Sequence, residues 1–251
     1  MLHQLKDKLH LLDPISLDEL SVCKLLNRID TKYICNVKYL PEIIERARKD
    51  FKIQTSKANR IFGYESLYFD TPGLQTYFDH HQGKRIRYKV RFRKYIDTGD
   101  AFLEVKKKKN YTRTDKKRNQ FEFSSTLEHQ HEKFLRNHIK VPKTGFEPTI
   151  WTLFDRITLA GKNQLERITI DTNIRFKDKN HEISLPGLSI IEVKRDKAVG
   201  ISPFSQILRD LNIRPYGFSK YIMGNVLLNP NLKHNRFQKK IVTVNKICYG
   251  T

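Results

Sequence analysis

Polar and apolar positions alternate strictly through Arg85-Ile-Arg-Tyr-Lys-Val-Arg-Phe-Arg93. In a strand this places Arg85, Arg87, Lys89, Arg91 and Arg93 on one face and Ile86, Tyr88, Val90 and Phe92 on the other. Phe102-Leu-Glu-Val-Lys-Lys-Lys108 repeats the design, with Glu104, Lys106 and Lys108 opposite Leu103 and Val105. Asp97-Thr-Gly-Asp100 between the two runs predicts a hairpin turn. Two further runs share the pattern. Glu166-Arg-Ile-Thr-Ile-Asp171 sets Arg167, Thr169 and Asp171 against Ile168 and Ile170, and Ile190-Ile-Glu-Val-Lys-Arg195 sets Glu192 and Lys194 on one side.

The rest of the chain reads as α+β. Residues 1–27 form an N-terminal helical segment in two pieces, broken near Asp13-Pro14, with a capping box at Ser16-Leu-Asp-Glu19. Strands are expected over 28–36, 61–69, 119–125, 149–160, 165–171 and 188–195. Helices are expected over 39–51, 126–137, 203–212 and 218–228, with Pro41 in the first turn of the first and Ser202-Pro203 capping the third. His80-His81 reads as loop, and 230–251 as a loose basic tail. No linker divides 28–229, which is expected to be one domain. Strands with charged faces turned one way and apolar faces the other suggest an eight-stranded antiparallel β-barrel with a polar, basic lumen and helices over its apolar outside.

Charge sharpens this picture. Lys and Arg number 48 against 27 Asp and Glu, a formal net charge of +21 over 251 residues. Fifteen of the cations, against four acids, fall within residues 84–118. Side chains at i and i+2 of a strand stand about 7 Å apart, so five cations in a row repel unless an anion lies along them. Tyr88 and Phe92 face away from that row, which suits stacked bases poorly and a chain of phosphates well. A nucleic-acid patch over Lys106–Lys109, Tyr111, Arg113 and Lys116–Arg118 is the weaker reading. Arg forks and Lys neutralise phosphate oxygens. A carboxylate among such cations is explained by a divalent metal or by an internal ion pair. Glu192 is the first candidate ligand and Glu104 the second, with pairs to Lys194 and Lys106 as the plainer alternative.

Several classes are excluded or weakened. No apolar run reaches the roughly 18 residues of a membrane span, and no secretory h-region follows Met1. Cys23, Cys35 and Cys248 show no metal spacing and no disulfide framework, so a reducing, cytoplasmic setting is expected. The Asn110-Tyr-Thr triplet is then without consequence. There is no P-loop and no dinucleotide fingerprint. His129, His131 and His138 read as surface histidines, and Trp151 as core.

The motifs stand in a telling order: Arg28-Ile-Asp-Thr-Lys-Tyr33, Leu67-Tyr-Phe-Asp-Thr71, Arg91-Phe-Arg-Lys-Tyr95, Phe102-Leu-Glu-Val-Lys106, Phe154-Asp-Arg156, Arg167-Ile-Thr-Ile-Asp-Thr172, Ile191-Glu-Val-Lys194 and Phe218-Ser-Lys-Tyr-Ile-Met-Gly224. Together they resemble the VTC family, the polyphosphate polymerase domain within the triphosphate tunnel metalloenzymes. The resemblance implies an eight-stranded antiparallel tunnel and transfer of the ATP γ-phosphate to a growing polyphosphate chain, with Mn²⁺ or Mg²⁺. It implies phosphate contacts from Lys32, Arg91, Arg93, Lys106, Arg156, Arg167 and Lys220, with Arg118 added from the basic stretch that follows, a hydrogen bond from Ser219, and Glu192 as metal ligand. Lys32, Arg91, Arg93, Lys106 and Lys220 are expected nearest the reacting phosphates. Arg28, Arg87, Lys89, Lys108 and Lys194 join the substrate-binding set. Tunnel triphosphatases carry Glu-x-Glu-x-Lys on the first strand, where this chain has Arg28-Ile-Asp-Thr-Lys32, which favours polymerase over a (tri/poly)phosphatase. A non-catalytic module binding polyphosphate or nucleic acid is the remaining alternative. The membrane helices and phosphate-sensing domain of the eukaryotic complex are not in this sequence, which is expected to be a bacterial form. A membrane partner is left open.

Overall fold

The computed structural model describes residues 2–22, 28–109, 114–140, 142 and 144–250. Cys23 and the stretch 110–113, with the Asn110 triplet, Tyr111 and Arg113, lie outside them. In chain order the elements are α1 (Leu2–His10), β1 (Pro14–Ile15), α2 (Leu17–Val22), β2 (Arg28–Asn36), α3 (Leu40–Ala47), β3 (Phe51–Gln54), β4 (Phe62–Asp70), α4 (Gln75–His81), β5 (Arg87–Tyr95), β6 (Ala101–Lys108) and β7 (Thr114–Gln120). Then follow α5 (His129–Arg136), β8 (Glu147–Gly161), β9 (Glu166–Lys177), β10 (Glu182–Leu185), β11 (Leu188–Asp196), α6 (Pro203–Asp210), α7 (Lys220–Leu228) and α8 (Gln238–Tyr249).

Eight strands pair in the order β2-β11-β9-β8-β4-β5-β6-β7, every neighbour antiparallel. The sheet curls into a half-barrel flanked by helices. β2 and β7 are the ends of this path, while β1, β3 and β10 attach at its sides.

The alternating pattern decides which face does what. On one half of the convex face, Tyr33, Ile157, Leu159, Ile168, Ile170, Ile191 and Val193 pack with Leu9 of α1, Ile43 and Ile44 of α3, and Phe204 and Leu208 of α6. On the other half, Leu67, Phe69, Val90, Phe92, Leu103 and Val105 pack under Leu135 of α5. Burying each such side chain contributes about 1.5–3 kcal/mol, so the charged positions are driven to the concave face.

That face is a trough, and α7 lies against it. Tyr221, Ile222, Met223 and Val226 pack with Ile34, Ile150, Phe176 and Ile190. Gly224 permits the approach: a Cβ there would lie 2.6 Å from Ile150 Cδ1 and 2.9 Å from Phe176 Cδ1. At the other end, Ala160 packs with Ile15 and Leu20. The predicted capping box is present, with Ser16 N–H on Glu19 Oε2 at 2.8 Å and Glu19 N–H on Ser16 Oγ at 3.2 Å. Ser202 caps α6 by accepting the Ser205 N–H.

Several expectations need correction. The helix expected to Phe51 ends at Ala47, because Phe51 and Ile53 alternate inward and pair with Gly161 and Leu159 of β8. The strand expected over 119–125 is Thr114–Gln120, an edge strand whose polar, exposed sequence carries no strand signal. Phe121 and Phe123, which suggested a strand, lie under α5 instead. Arg85 and Ile86 precede β5, and Ile86 is exposed. His80-His81 ends a helix, and His81 is buried. His131 is buried too: its Nδ1 accepts the Glu128 N–H at 3.0 Å and closes the start of α5. The C-terminal stretch is not loose. Phe237 and Val244 join the α7 core, and Asn36 Nδ2 donates to the Ile247 carbonyl at 2.7 Å.

Candidate functional site

Register aligns the charged positions across the concave face. Lys32 is opposite Glu192, Glu192 opposite Thr169, Arg156 opposite Asp171, Arg93 opposite Ser66, Arg91 opposite both Tyr68 and Glu104, and Lys89 opposite Lys106. Seven strands therefore deliver to one trough residues spread over 160 positions of sequence, from Lys32 to Glu192.

The acids of the trough are engaged. Glu104 is 2% exposed and receives Arg91 Nε at 2.8 Å and Nη2 at 2.6 Å, with Lys116 paired to its other oxygen. Its partners are thus Arg91 and Lys116 rather than Lys106. Burial alone would raise its carboxyl, but Arg91, Arg93 and Lys116 hold it far below the usual carboxylate range. The Arg91 fork is completed by Tyr68, whose hydroxyl accepts Nη1 at 2.9 Å. Asp171 is clamped by Arg156, Nε to Oδ1 at 2.6 Å and Nη2 to Oδ2 at 2.9 Å, and is paired with Lys220. Both arginines stay fully charged.

Among the described residues Arg93, Lys89 and Lys106 have no acid of their own, and Lys32 has a distant one. Arg93 is buried, donates only to Ser66 Oγ at 3.2 Å and lies over the rings of Tyr64 and Phe154 at 5.5 and 5.8 Å. Burial and then Arg91 push it down to about 10. Lys89 donates to Ser219 Oγ at 2.7 Å. Its loss of water, then Lys32 and Lys106, depress it well below an ordinary lysine. Lys106 is exposed to the trough and is lowered to about 8 by the walls and by Lys32, with Glu192 opposing. Lys32 donates to the Phe218 carbonyl at 3.2 Å and stands 3.9 Å from Glu192. Ser219 caps α7 by accepting the Ile222 N–H. Lys220 therefore starts a helix whose positive end meets the cations, an arrangement that suits only an anion.

The remaining predicted residues are less central. Arg28 is exposed and donates to Asp30 at 3.0 Å. Lys194 pairs with Glu192 at 3.0 Å. Arg167 donates to the Leu20 carbonyl of α2. Arg118 lies over the Phe102 ring at 4.8 Å on the edge strand. Arg87 donates to the Lys84 carbonyl at 2.9 Å, and Lys108 stands beside it across the hairpin. Sequence reasoning missed Asp171 as a site residue although it shares the face of Arg167. It also missed Ser66, Tyr68, Tyr64 and Phe154, whose trough-facing positions follow only from the β4 and β8 registers. Lys116 had no signal beyond its charge.

Glu192 is not gripped by an arginine fork as Glu104 and Asp171 are; its partners are Lys194 at 3.0 Å and Lys32 at 3.9 Å, the ion pair that stood as the plainer expectation. Among the described residues no three His, Cys, Asp or Glu side chains cluster into a cage. A Mg²⁺ or Mn²⁺ ion that arrives with phosphate needs less, since it keeps several waters and takes one or two carboxylates. Glu192, held well below the usual carboxylate range against its burial by Lys194 and Lys32, fits that role.

The VTC domain family matches residues 27–229. The chain belongs to the VTC domain family. That span holds every predicted site residue. No curated protein matches the chain. Among solved structures, it is similar to HpAC1 of Hippeastrum, named for adenylyl cyclase and described as having a dominant triphosphatase activity, at 13% identity over 82% of this chain and 100% of that one, TM-score 0.48. It is similar to a protein of Pyrococcus horikoshii OT3 at 14% identity over 82% and 99%, TM-score 0.44. The S. pombe RNA triphosphatase Pct1 is similar at 9% identity over 89% and 86%, TM-score 0.31. Among the described residues of this VTC domain protein, no helix is long and apolar enough to cross a membrane.

Proposed function

We propose that this protein is an ATP-dependent polyphosphate polymerase. The observation that carries the reading is the imbalance of the trough. Glu104 and Asp171 are consumed by Arg91, Lys116, Arg156 and Lys220, while among the described residues Lys89, Arg93 and Lys106 have no acid partner and Lys32 has Glu192 only at 3.9 Å. A row of phosphates is the ligand that satisfies such a surface.

In this reading a terminal oxygen of the polyphosphate chain attacks the γ-phosphorus of ATP. The bond from that phosphorus to the β–γ bridging oxygen breaks, and ADP leaves with the electron pair. The attacking oxygen is already anionic, so no general base is required. Arg91, held by Glu104 and Tyr68, and Arg156, held by Asp171, are preorganised and lose little entropy on binding. Arg93, Lys106 and Lys32 neutralise charge that spreads over the equatorial oxygens in transfer. Lys220 and Ser219 at the start of α7 hold a neighbouring phosphate. Glu192 would hold the divalent metal, which supplies further neutralisation of phosphate charge. Asp30 is taken by Arg28, so β2 offers no spare carboxylate pair to orient water, which supports transfer over hydrolysis.

The test is incubation with ATP and Mn²⁺, with Glu192→Gln alongside. Polyphosphate and ADP from the wild type, lost in the variant, are the expected result. Free phosphate without chains would make the protein a phosphatase. No turnover, with equal polyphosphate binding by both proteins, would leave a binding module.

A further inference from the structure

We propose that α8, beyond the residues matched by the VTC domain, completes the path of the polyanion: Lys240, with Lys89, Arg87 and Lys108 around His80, forms a mouth subsite that grips the oligophosphate chain away from its reacting end. The inference rests on the polyphosphate reading above and adds a second contact region to it.

The geometry comes from three elements. The β5 and β6 cations run along the hairpin, with Arg87 opposite Lys108 and Lys89 opposite Lys106, and carry the basic row from the trough centre to one end. At that end α4 brings His80, whose Nδ1 is buried and has no hydrogen-bond partner. Lys240 comes from the first turn of α8. It donates to the Gly217 carbonyl and lies over the Tyr216 ring at 5.7 Å. The same loop returns to the trough, because Tyr216 N–H donates to the Lys32 carbonyl at 2.6 Å and the Phe218 carbonyl accepts Lys32 Nζ at 3.2 Å. Lys240 is thus tied to the segment that positions Lys32 and the start of α7.

The position is built into the fold. Asn36 anchors the end of α8, Arg236 Nη1 donates to the His81 carbonyl at 2.9 Å, and His81 Nε2 hydrogen-bonds Asn235 Oδ1 at 2.9 Å. These bonds join the end of α4 to the residues just before α8. No carboxylate pairs with Lys240, Lys89, Arg87 or Lys108 among the described residues. His80 registers the result: burial, then Lys89, Arg87, Lys240 and Lys108, push it down to about 2 and keep the imidazole neutral. A neutral ring among four cations can donate one hydrogen bond to a phosphate oxygen without adding charge. In this proposal tripolyphosphate sits at the trough centre and leaves the mouth unfilled. A long chain has to pass it.

The test compares binding of tripolyphosphate and of a long polyphosphate chain to the full protein. We expect Lys240→Met to lower the ratio of long-chain to tripolyphosphate affinity about tenfold and to reduce the salt slope for the long chain by about one. Lys240→Arg restores both, and Lys108→Met lowers the same ratio. A ratio unchanged in both Met variants overturns the inference. Equal loss for the two ligands overturns it as well, because Lys240 would then only hold the Gly217 loop. Displacement of the long chain by duplex DNA of equal charge would identify an unselective basic surface and also overturn it. Failure of the wild type to bind either phosphate ligand would instead remove the functional reading itself.

Discussion

Asp70 at the end of β4 accepts the phenol proton of Tyr221 in the first turn of α7. The same carboxylate accepts the N–H groups of Thr71 and Thr76 at 2.8 Å, Tyr77 N–H at 2.9 Å and Thr76 Oγ1 at 2.7 Å, and is fully buried. One side chain thereby starts α4 and fixes α7, the helix that carries Lys220. Loss of the carboxylate leaves several buried donors unsatisfied.

Asp70→Ala is therefore expected to cost about 3 kcal/mol or more, whereas Tyr221→Phe, which removes one bond and keeps the ring, should cost about 1 kcal/mol. Denaturant unfolding of the two variants measures this. Equal losses would mean that Asp70 serves Tyr221 alone.

Asp171 is 3% exposed and balances two cations, Arg156 and Lys220. Removing one member of such a buried cluster costs about 3–5 kcal/mol, because the partner charges stay behind without water. Asp171→Asn should lower the melting temperature strongly, and tripolyphosphate should recover more of it in the variant than in the wild type, since the ligand replaces the missing anion. A gain no larger than in the wild type would place the phosphate elsewhere in the trough.

Lys106, Lys116 and Lys220 are each lowered to about 8, first by loss of water. Two opposite pH trends follow. Anion binding needs the protonated form, so tripolyphosphate affinity should fall as pH rises through 8. Without ligand, the unfolded chain keeps these protons up to about 10.4 while the native state has released them. The unfolded state then binds more protons, and this contribution to stability rises between about pH 8 and pH 10. Melting curves with and without tripolyphosphate at about pH 7 and pH 9 should draw together at the higher pH. A constant separation would show that these lysines do not face the ligand.

The strand faces were legible because their period of two survives any tertiary arrangement. Val90 and Phe92 had to be buried, so Arg91 and Arg93 had to line the other side, and the same logic set Lys106 and Glu192 on the charged faces of their own strands, whereas Lys32 came from the resemblance. Helix starts at Ser16 and Ser202 were legible for a similarly local reason, a side-chain oxygen meeting nearby N–H groups. Ionic partners were legible only within one strand, as for Glu192 and Lys194. Glu104 was matched to Lys106 on its own strand and pairs instead with Arg91 and Lys116 on the two adjoining strands.

The sequence alone thus determined which strand faces are apolar and which are charged, since each rests on alternation within a few residues, while the antiparallel tunnel and the proposed phosphate contacts came with the resemblance to the VTC family. Only the tertiary structure decided how charge is balanced in the trough: that Asp171 holds Arg156 and Lys220, that Arg93 and Lys89 lack an acid, that polar Thr114–Gln120 is a strand, and that Lys240 leans in from α8. These depend on strand register and on long-range packing, where contacts between residues far apart in sequence override local propensity, and no local pattern encodes them.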